Sequence, residues 1–213
     1  MARPRAADYH AQRDRILARA VEAFAQTGYA GASMAGLAQA CGVSKATLYH
    51  YYPGKQALLF EALDRYTQRL LAVVGQAAQS HAAPAQILRD TVRALMAEYR
   101  HSRAHHIVLL RELRFLSPEQ QQQVRAQERA VVAEISALLN RAAPRAIPAE
   151  EQSVITMALL GMINFTFTWL RPEGPVTHDR FADIAASLWL DGLSGLAPNP
   201  AEPPHEQAVR IQS

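Results

Sequence analysis

The sequence of 213 residues has one cysteine, Cys41, and only two lysines, Lys45 and Lys55. A single cysteine excludes a disulfide within the chain and a zinc site built from several cysteines. No apolar run reaches the roughly 18 residues of a membrane span, and the N-terminus lacks the apolar stretch of a secretory signal. These absences predict a cytoplasmic protein that has no membrane partner.

Strand patterns are also lacking, because alternating β-branched runs bounded by turn residues do not occur. Apolar residues instead recur at helical spacing, which predicts an all-α fold of about nine helices. The expected helices cover 9–27, 34–41, 45–51, 55–79, 84–101, 104–116, 118–142, 149–170 and 178–194. We expect a domain of short helices at 1–52, a domain of long helices at 53–196, and a disordered Pro-rich tail at 197–213.

Catalytic motifs are missing as well: the sequence has no Gly-rich phosphate loop, no HExxH and no GxSxG. His101, His105 and His106 lie close together, but no cysteine or paired carboxylate accompanies them. We therefore interpret them as solvated or pocket-lining side chains rather than metal ligands. Cys41 falls where a small apolar residue is needed. The sequence predicts no catalytic residue, no metal and no cofactor, and disfavours a helical enzyme.

Positive charge is concentrated at the start of the chain. Residues 1–55 carry seven Lys or Arg against three Asp or Glu, a net charge of +4. The other residues carry 15 Arg against 16 Asp or Glu, a net charge of −1. A basic first quarter on a nearly neutral body indicates that one end of the protein meets a polyanion.

Residues 34–53, MAGLAQACGVSKATLYHYYP, have the spacing of two short helices joined by a tight turn. Ala38 is small enough for the helices to cross, and Gly42 can take a positive φ at the turn. Ser33 and Ser44 are suited to cap the two helices. The residues spaced for a shared core are Leu37, Cys41, Val43, Leu48 and Tyr51. This pattern is typical of a helix-turn-helix, whose second helix lies in the DNA major groove.

The stretch 33–58, with Phe24 and Gly28 upstream, resembles the N-terminal domain of TetR-family transcriptional regulators. The specific resemblance covers residues 10–60, and the rest of the chain matches in length and helical character. It implies a homodimer that represses genes from a palindromic operator in double-stranded DNA and leaves it on binding a small molecule. Gly36 departs from the pattern, because the family usually has a charged or larger residue there.

Side-chain chemistry assigns DNA-binding roles to the second helix of the motif. Lys45 and Thr47 can donate to base edges, and Tyr49 can contact a thymine methyl group or a phosphate. His50 and Tyr52, at the end of the helix, are expected on the DNA backbone.

Other DNA contacts are expected outside that helix. Ser33 and Lys55 lie at helix N-termini and are predicted to contact phosphates, and Ser44, which caps the second helix, is also predicted to contact DNA. Arg3 and Arg5 flank a proline in what we expect to be a flexible arm, which could enter the minor groove.

The expected helices at 149–170 and 178–194 are apolar around most of their circumference. Such helices must be buried on both sides. We therefore predict a four-helix dimer interface with two helices from each subunit, and the alternative is the core of a monomer. The residues predicted at this interface are Ala158, Gly161, Met162, Phe181, Ile184, Ala185 and Leu188.

The aromatic-rich segment followed by WLRPEGP at 169–175 resembles TetR-family members that respond to acyl-CoA thioesters, including regulators of fatty-acid and phenylacetate degradation. An acyl-CoA or aryl-CoA needs an apolar slot and basic groups for its phosphates. The residues predicted for the slot are Met96, Tyr99, Leu109, Leu113, Asn164, Phe165 and Phe167, with Arg103, Arg111 and Arg114 for the phosphates. The alternative is a multidrug-type regulator of lipophilic cations, which would use carboxylates such as Glu98 and Glu112.

Overall fold

The computed structural model describes residues 3–143, 147, 149–171 and 173–195, with side chains for 8–192 of these. The tail predicted at 197–213 lies outside the described residues. Within this part of the chain the regular elements are all helical. The α-helices are α1 (Arg3–Gly31), α2 (Met34–Ala40), α3 (Lys45–Tyr51), α4 (Lys55–Ala78), α5 (Pro84–His101), α6 (Arg103–Glu112), α7 (Pro118–Ala142), α8 (Gln152–Asn164) and α9 (His178–Gly195). The prediction of an all-α fold is confirmed.

The two short helices begin at the serines that the sequence indicates. Ser33 Oγ accepts a hydrogen bond from the backbone N–H of Gly36 at 3.1 Å, and Ser44 Oγ accepts one from Thr47 N–H at 2.9 Å. Each bond satisfies an N–H that has no partner within its helix. Gly42 takes the left-handed conformation between the helices, with φ +66°. The predicted helix-turn-helix is therefore present.

Several helix ends differ from the expected ones, and α1 extends over Arg3–Gly31 instead of the expected 9–27. The helix predicted to reach residue 170 ends at Asn164 and continues as a 3₁₀ turn over Phe165–Thr168. The hydroxyl of Thr166 donates to Ile163 O and that of Thr168 to Phe165 O, both at 2.7 Å. Such local side-chain bonds compete with the α-helical ladder. α6 likewise ends at Glu112 and passes into a 3₁₀ turn over Leu113–Phe115.

α4 is the central helix of the molecule. It packs against α1, α5, α6 and α7, and α9 covers α5 from the other side. Leu59, Leu63 and Tyr66 of α4 are completely buried, and each such leucine contributes about 1.5–3 kcal/mol through burial. α4 thereby joins the three-helix unit α1–α3 to the remaining helices through one continuous core. No described helix is both long and apolar enough to span a membrane.

Candidate nucleic-acid interface and ligand cavity

α3 presents one face to solvent. Lys45 and His50 are exposed, and Tyr49 keeps 46% of its surface accessible. Lys45 Nζ lies 5.9 Å from the centre of the Tyr49 ring. The apolar side of the helix, represented by Leu48, is completely buried. Three residues predicted for DNA contact therefore form a common exposed surface.

The capping serines are exposed at the start of their helices. Thr47 is half-buried, and its Oγ1 lies 2.7 Å from Ser44 Oγ, so the two hydroxyls share a hydrogen bond. The roles of Ser33, Ser44 and Thr47 in DNA contact stay predictions.

Two residues predicted for the DNA backbone have structural roles instead. Tyr52 is 1% exposed, and the guanidinium carbon of Arg13 lies 5.2 Å from the centre of its ring. It belongs to the core because α3 ends at Tyr51 and the chain turns inwards there. Lys55 Nζ donates to the carbonyls of Tyr29 and Ala32, both at 2.9 Å. Its ammonium group holds the start of α4 to the end of α1, in place of the predicted phosphate contact.

The start of α1 adds an aromatic residue that the sequence reasoning missed. Tyr9 is 37% exposed, and its ring centre lies 4.7 Å from that of Tyr51 and 6.1 Å from that of His50. Tyr9 was missed because some forty residues separate it from α3. Arg3 and Arg5 continue α1 rather than forming the expected arm, and their side chains lie outside the described residues.

A cavity of about 370 Å³ lies among α4, α5, α6, α7 and α8, within the range of small-molecule sites. Its apolar wall consists of Leu70, Leu109, Leu110, Val131, Val132, Met157 and Leu160. Its polar lining consists of Thr67, Tyr99, His106, Arg125, Glu128, Arg129 and Asn164. Of the residues predicted for a ligand slot, the cavity brings together Tyr99, Leu109 and Asn164.

A buried hydrogen-bonded group forms one wall of this cavity. His106 Nε2 lies 2.8 Å from the backbone carbonyl of Asn164, and Nδ1 lies 3.1 Å from the hydroxyl of Tyr66. Burial lowers the pKa of His106, which favours the neutral ring. The Tyr99 hydroxyl donates to Asn164 Oδ1 at 2.8 Å, and the Tyr99 ring stacks on His106 with centres 4.1 Å apart. The group connects α4, α5, α6 and α8.

α7 supplies charged groups that the sequence reasoning missed. Arg125 and Arg129 are exposed and one helical turn apart, and Glu128 lies half-buried beside them. Burial raises the pKa of Glu128, although the two arginines partly oppose the shift. The i, i+4 spacing places both guanidiniums on one face, but only the fold reveals that this face lines a cavity.

The other predicted slot residues lie elsewhere. Those that do not line the cavity are Met96, Leu113, Phe165, Phe167, Arg103, Arg111 and Arg114. Met96 is completely buried in the core. The Arg103 guanidinium donates to the Phe167 carbonyl at 3.1 Å. Arg111 lies over the Phe167 ring at 5.6 Å. The three arginines lie on the exposed side of α6 and of the turn after it and do not line this cavity, so their role towards a ligand stays a prediction.

A larger, more polar cleft of about 880 Å³ is lined by residues of α1, α4, α5 and α6. His101, His105 and Arg103 line it, together with the Arg69–Glu98 ion pair, whose N···O distance is 3.2 Å. An apolar ligand gains free energy from apolar walls, so the smaller cavity suits such a ligand better. Among the described residues, no group of three or more His, Cys, Asp or Glu could hold a metal ion.

One face formed by α8, the turn that follows it and α9 is apolar and exposed. The exposed fraction is 68% for Val154, 54% for Met157, 56% for Phe165 and 60% for Leu188. We call this face, which also includes Ala158, Gly161, Met162, Trp169, Phe181 and Ile184, the α8–α9 surface. Ala185, which was predicted with it, is completely buried within the subunit, because it lies on the side of α9 that packs against α5.

The exposed α3, positioned by α2 and the turn at Gly42, defines a helix-turn-helix DNA-binding protein. Residues 16–62 match the family model for bacterial regulatory proteins of the tetR family. Residues 81–193 match the model for the tetracyclin repressor-like C-terminal domain. The chain therefore belongs to the TetR family of transcriptional regulators, and the prediction of a regulator rather than an enzyme is confirmed.

Individual relatives agree with this family. A TetR-family regulator from Bordetella parapertussis 12822 is 33% identical, with a TM-score of 0.81 over 87% of this chain and 97% of that one. AibR, solved with isovaleryl coenzyme A and operator DNA, is 26% identical, with a TM-score of 0.74 over 83% of this chain and 97% of that one. The transcriptional activator FasR of Mycolicibacterium smegmatis is 25% identical over 86% of this chain and 83% of its own length.

Proposed function

We propose that this regulator is a dimeric repressor that binds a palindromic operator through α3 and is released by an acyl-CoA or aryl-CoA thioester bound in the cavity. The observation that carries the proposal is an apolar cavity with two arginines of α7 at its wall. The AibR complex, which contains isovaleryl coenzyme A and operator DNA, supports this class of effector.

The cavity has the two features that such a thioester needs. Its apolar side chains can bury an acyl or aryl group, at about 25 cal/mol per Å² of apolar surface. Arg125 and Arg129 remain exposed to solvent, so they can meet phosphates outside the apolar part through charge-assisted hydrogen bonds. These two arginines take the role that the sequence assigned to others.

The α8–α9 surface supports the dimer. It carries exposed large apolar side chains on α8, on the turn that follows it and on α9, and exposed apolar patches mark interaction sites. Gly161 has open space where a Cβ would stand, so a helix from a second subunit can approach closely. Two copies of the surface would form a four-helix interface.

A lipophilic cation is the second candidate effector. Glu128 lines the cavity and is half-buried, and a carboxylate there would pair with a cationic ligand. The two neighbouring arginines outnumber it, which favours an anionic ligand.

The test is a competition for the operator. The fraction of operator bound is measured in a gel-shift titration with isovaleryl-, octanoyl- and phenylacetyl-CoA, with the free acids, and with tetraphenylphosphonium. We expect the thioesters to release DNA and the free acids to have little effect. A hundredfold weakening of DNA binding needs about 2.7 kcal/mol of coupling.

Variants separate the two candidates. Arg125→Ala with Arg129→Ala should weaken the response to thioesters, and Arg141→Ala, an exposed arginine of α7 outside the cavity, serves as the matched control. Glu128→Gln should leave the thioester response intact. If only tetraphenylphosphonium released the DNA, and Glu128→Gln abolished that release, the effector would be a lipophilic cation.

A further inference from the structure

The hydrogen bonds around Asn164 leave its side-chain N–H free to meet a ligand. The backbone carbonyl of Asn164 can only accept, so His106 Nε2 carries the hydrogen at this 2.8 Å contact. In a neutral ring, Nδ1 then accepts from the hydroxyl of Tyr66. The tautomer of His106 and the direction of both bonds are therefore determined.

The same reasoning fixes the side-chain amide of Asn164. Tyr99 is 6% exposed, and burial raises the pKa of its hydroxyl, so it keeps a hydrogen to donate. Its hydrogen-bond partner is Asn164 Oδ1. Turning the amide over would leave a buried hydroxyl hydrogen without an acceptor, which is costly. Asn164 Oδ1 therefore faces Tyr99.

The nitrogen of this amide has no hydrogen-bond partner among the described residues, although Asn164 lines the cavity. The other uncharged residue of the polar lining outside this group, Thr67, has its hydroxyl 2.9 Å from the carbonyl of Leu63 in its own helix. The uncharged wall thus offers a donor to a ligand that enters the apolar space.

We propose that Asn164 is the specificity-determining residue of the cavity: its side-chain N–H donates to a carbonyl oxygen of the ligand. Tyr99 is the positioning residue, because it fixes the amide with the nitrogen free. This inference rests on the proposed function, in which the ligand is an acyl-CoA and the oxygen is its thioester carbonyl oxygen. The cavity would then distinguish an acyl-CoA from a compound with an alkyl chain of the same length.

The first experiment compares octanoyl-CoA with S-octyl-CoA, a thioether that lacks only the carbonyl oxygen, by titration calorimetry on the full chain. We expect the wild type to bind the thioester about tenfold more tightly, which corresponds to one hydrogen bond to an otherwise unpaired donor. Asn164→Ala should reduce this ratio to about one, and Asn140→Ala, in α7 and outside the cavity, should keep it.

Tyr99→Phe distinguishes positioning from a structural role. The variant keeps the ring on His106 and the amide of Asn164 but lets that amide turn over. We expect an intermediate ratio, with the affinity for S-octyl-CoA unchanged. A loss of affinity for both compounds alike would overturn the positioning role. The wild-type ratio needs no variant, so the proposal stays testable if Asn164→Ala does not fold.

A second pair of probes makes the test independent of CoA: acetophenone and α-methylstyrene, in which a methylene group replaces the carbonyl oxygen. If no CoA compound binds but acetophenone is preferred and Asn164→Ala removes the preference, the inference stands and the proposed effector fails. If the two CoA compounds bind equally, the inference is overturned and the effector class stands. Absence of discrimination in both pairs, or of binding, overturns the inference.

Discussion

The unit α1–α3 and the helices α4–α9 place their polar and aromatic groups differently. In α1–α3, Tyr9, Tyr49 and His50 are exposed on one side of the molecule. In α4–α9, Tyr66, Tyr99 and His106 are buried and hydrogen-bonded to each other or to Asn164, and Tyr99 and His106 line a cavity. The first arrangement suits the surface of a rigid polyanion, and the second suits a ligand that must be enclosed.

The difference teaches how the two regions depend on the rest of the chain. The exposed face of α3 follows from a motif of about twenty residues, because capping and one glycine turn set its geometry. The cavity wall needs five helices. Function in the first region is therefore local, and function in the second depends on packing between distant segments.

The largest expected effect is on the association of two subunits through the helices α8 and α9. Ala158→Glu puts a charge in the middle of the α8–α9 surface. If that surface is buried in a dimer, the unpaired charge should weaken association by about 3–5 kcal/mol. Sedimentation equilibrium should then show monomers, whereas Ala133→Glu, at an exposed alanine of α7, should stay dimeric. An intact Ala158→Glu dimer would move the interface elsewhere.

The two lysines of the chain provide a matched pair, with Lys45 at the start of α3 and Lys55 at the start of α4. Lys55→Met removes the charge-assisted bonds to Tyr29 O and Ala32 O and should lower the free energy of unfolding by about 1.5–3 kcal/mol. Lys45→Met, at an exposed position, should change it by less than about 0.5 kcal/mol.

DNA binding should separate the same pair in the opposite sense. The slope of log affinity against log salt should fall by about one for Lys45→Met if the ammonium meets a phosphate. For Lys55→Met that slope should stay the same. If Lys55→Met left the stability unchanged and reduced the salt slope, the result would favour the phosphate contact that the sequence predicts over the structural role.

These positions also indicate how far the sequence alone could lead. Ser33, Ser44 and Gly42 could be identified because each acts within four residues of itself. The structural role of Lys55 could not be identified, because its partners are backbone carbonyls more than twenty residues away. Every residue has a backbone carbonyl, so the sequence does not show which ones Lys55 contacts.

The cavity shows the same limit on a larger scale. Asn164 was identified beside an aromatic segment and Tyr99 by its residue type, whereas Arg125 and Arg129 lie on a mostly polar helix without any signal for a ligand. Ala185 was assigned to the wrong side of α9 because a helix that is apolar all round does not indicate which face is internal. Spacing determines faces, and only packing determines their partners.

Acid sensitivity should arise in α4–α9. Burial, with a smaller contribution from Arg69, lowers the pKa of His105 to about 4, against an ordinary 6.5. Between these values the unfolded chain binds a proton that the folded protein excludes, so stability falls as the pH falls from about 6.5 to 4. His105→Gln should reduce this loss of unfolding free energy by about 1–2 kcal/mol. The effect is limited because the ring stays partly accessible to water. Urea titrations at several pH values measure it, and an unchanged slope would contradict the prediction.

The smallest expected effect concerns two glycines of α1–α3, where backbone conformation dominates. Gly36 lies in α2, and a Cβ there would be 3.4 Å from Ser33 Oγ, an ordinary contact. Gly36→Ala should therefore stabilise the protein by about 0.5 kcal/mol through helix propensity, which raises the melting temperature by about 1–2 °C. Gly42 has open space around it but a φ of +66°, so Gly42→Ala should destabilise by about 1 kcal/mol through backbone strain alone. If Gly36→Ala were destabilised as much as Gly42→Ala, crowding against Ser33 Oγ would outweigh helix propensity at Gly36. That result would contradict the prediction that backbone conformation dominates at both glycines.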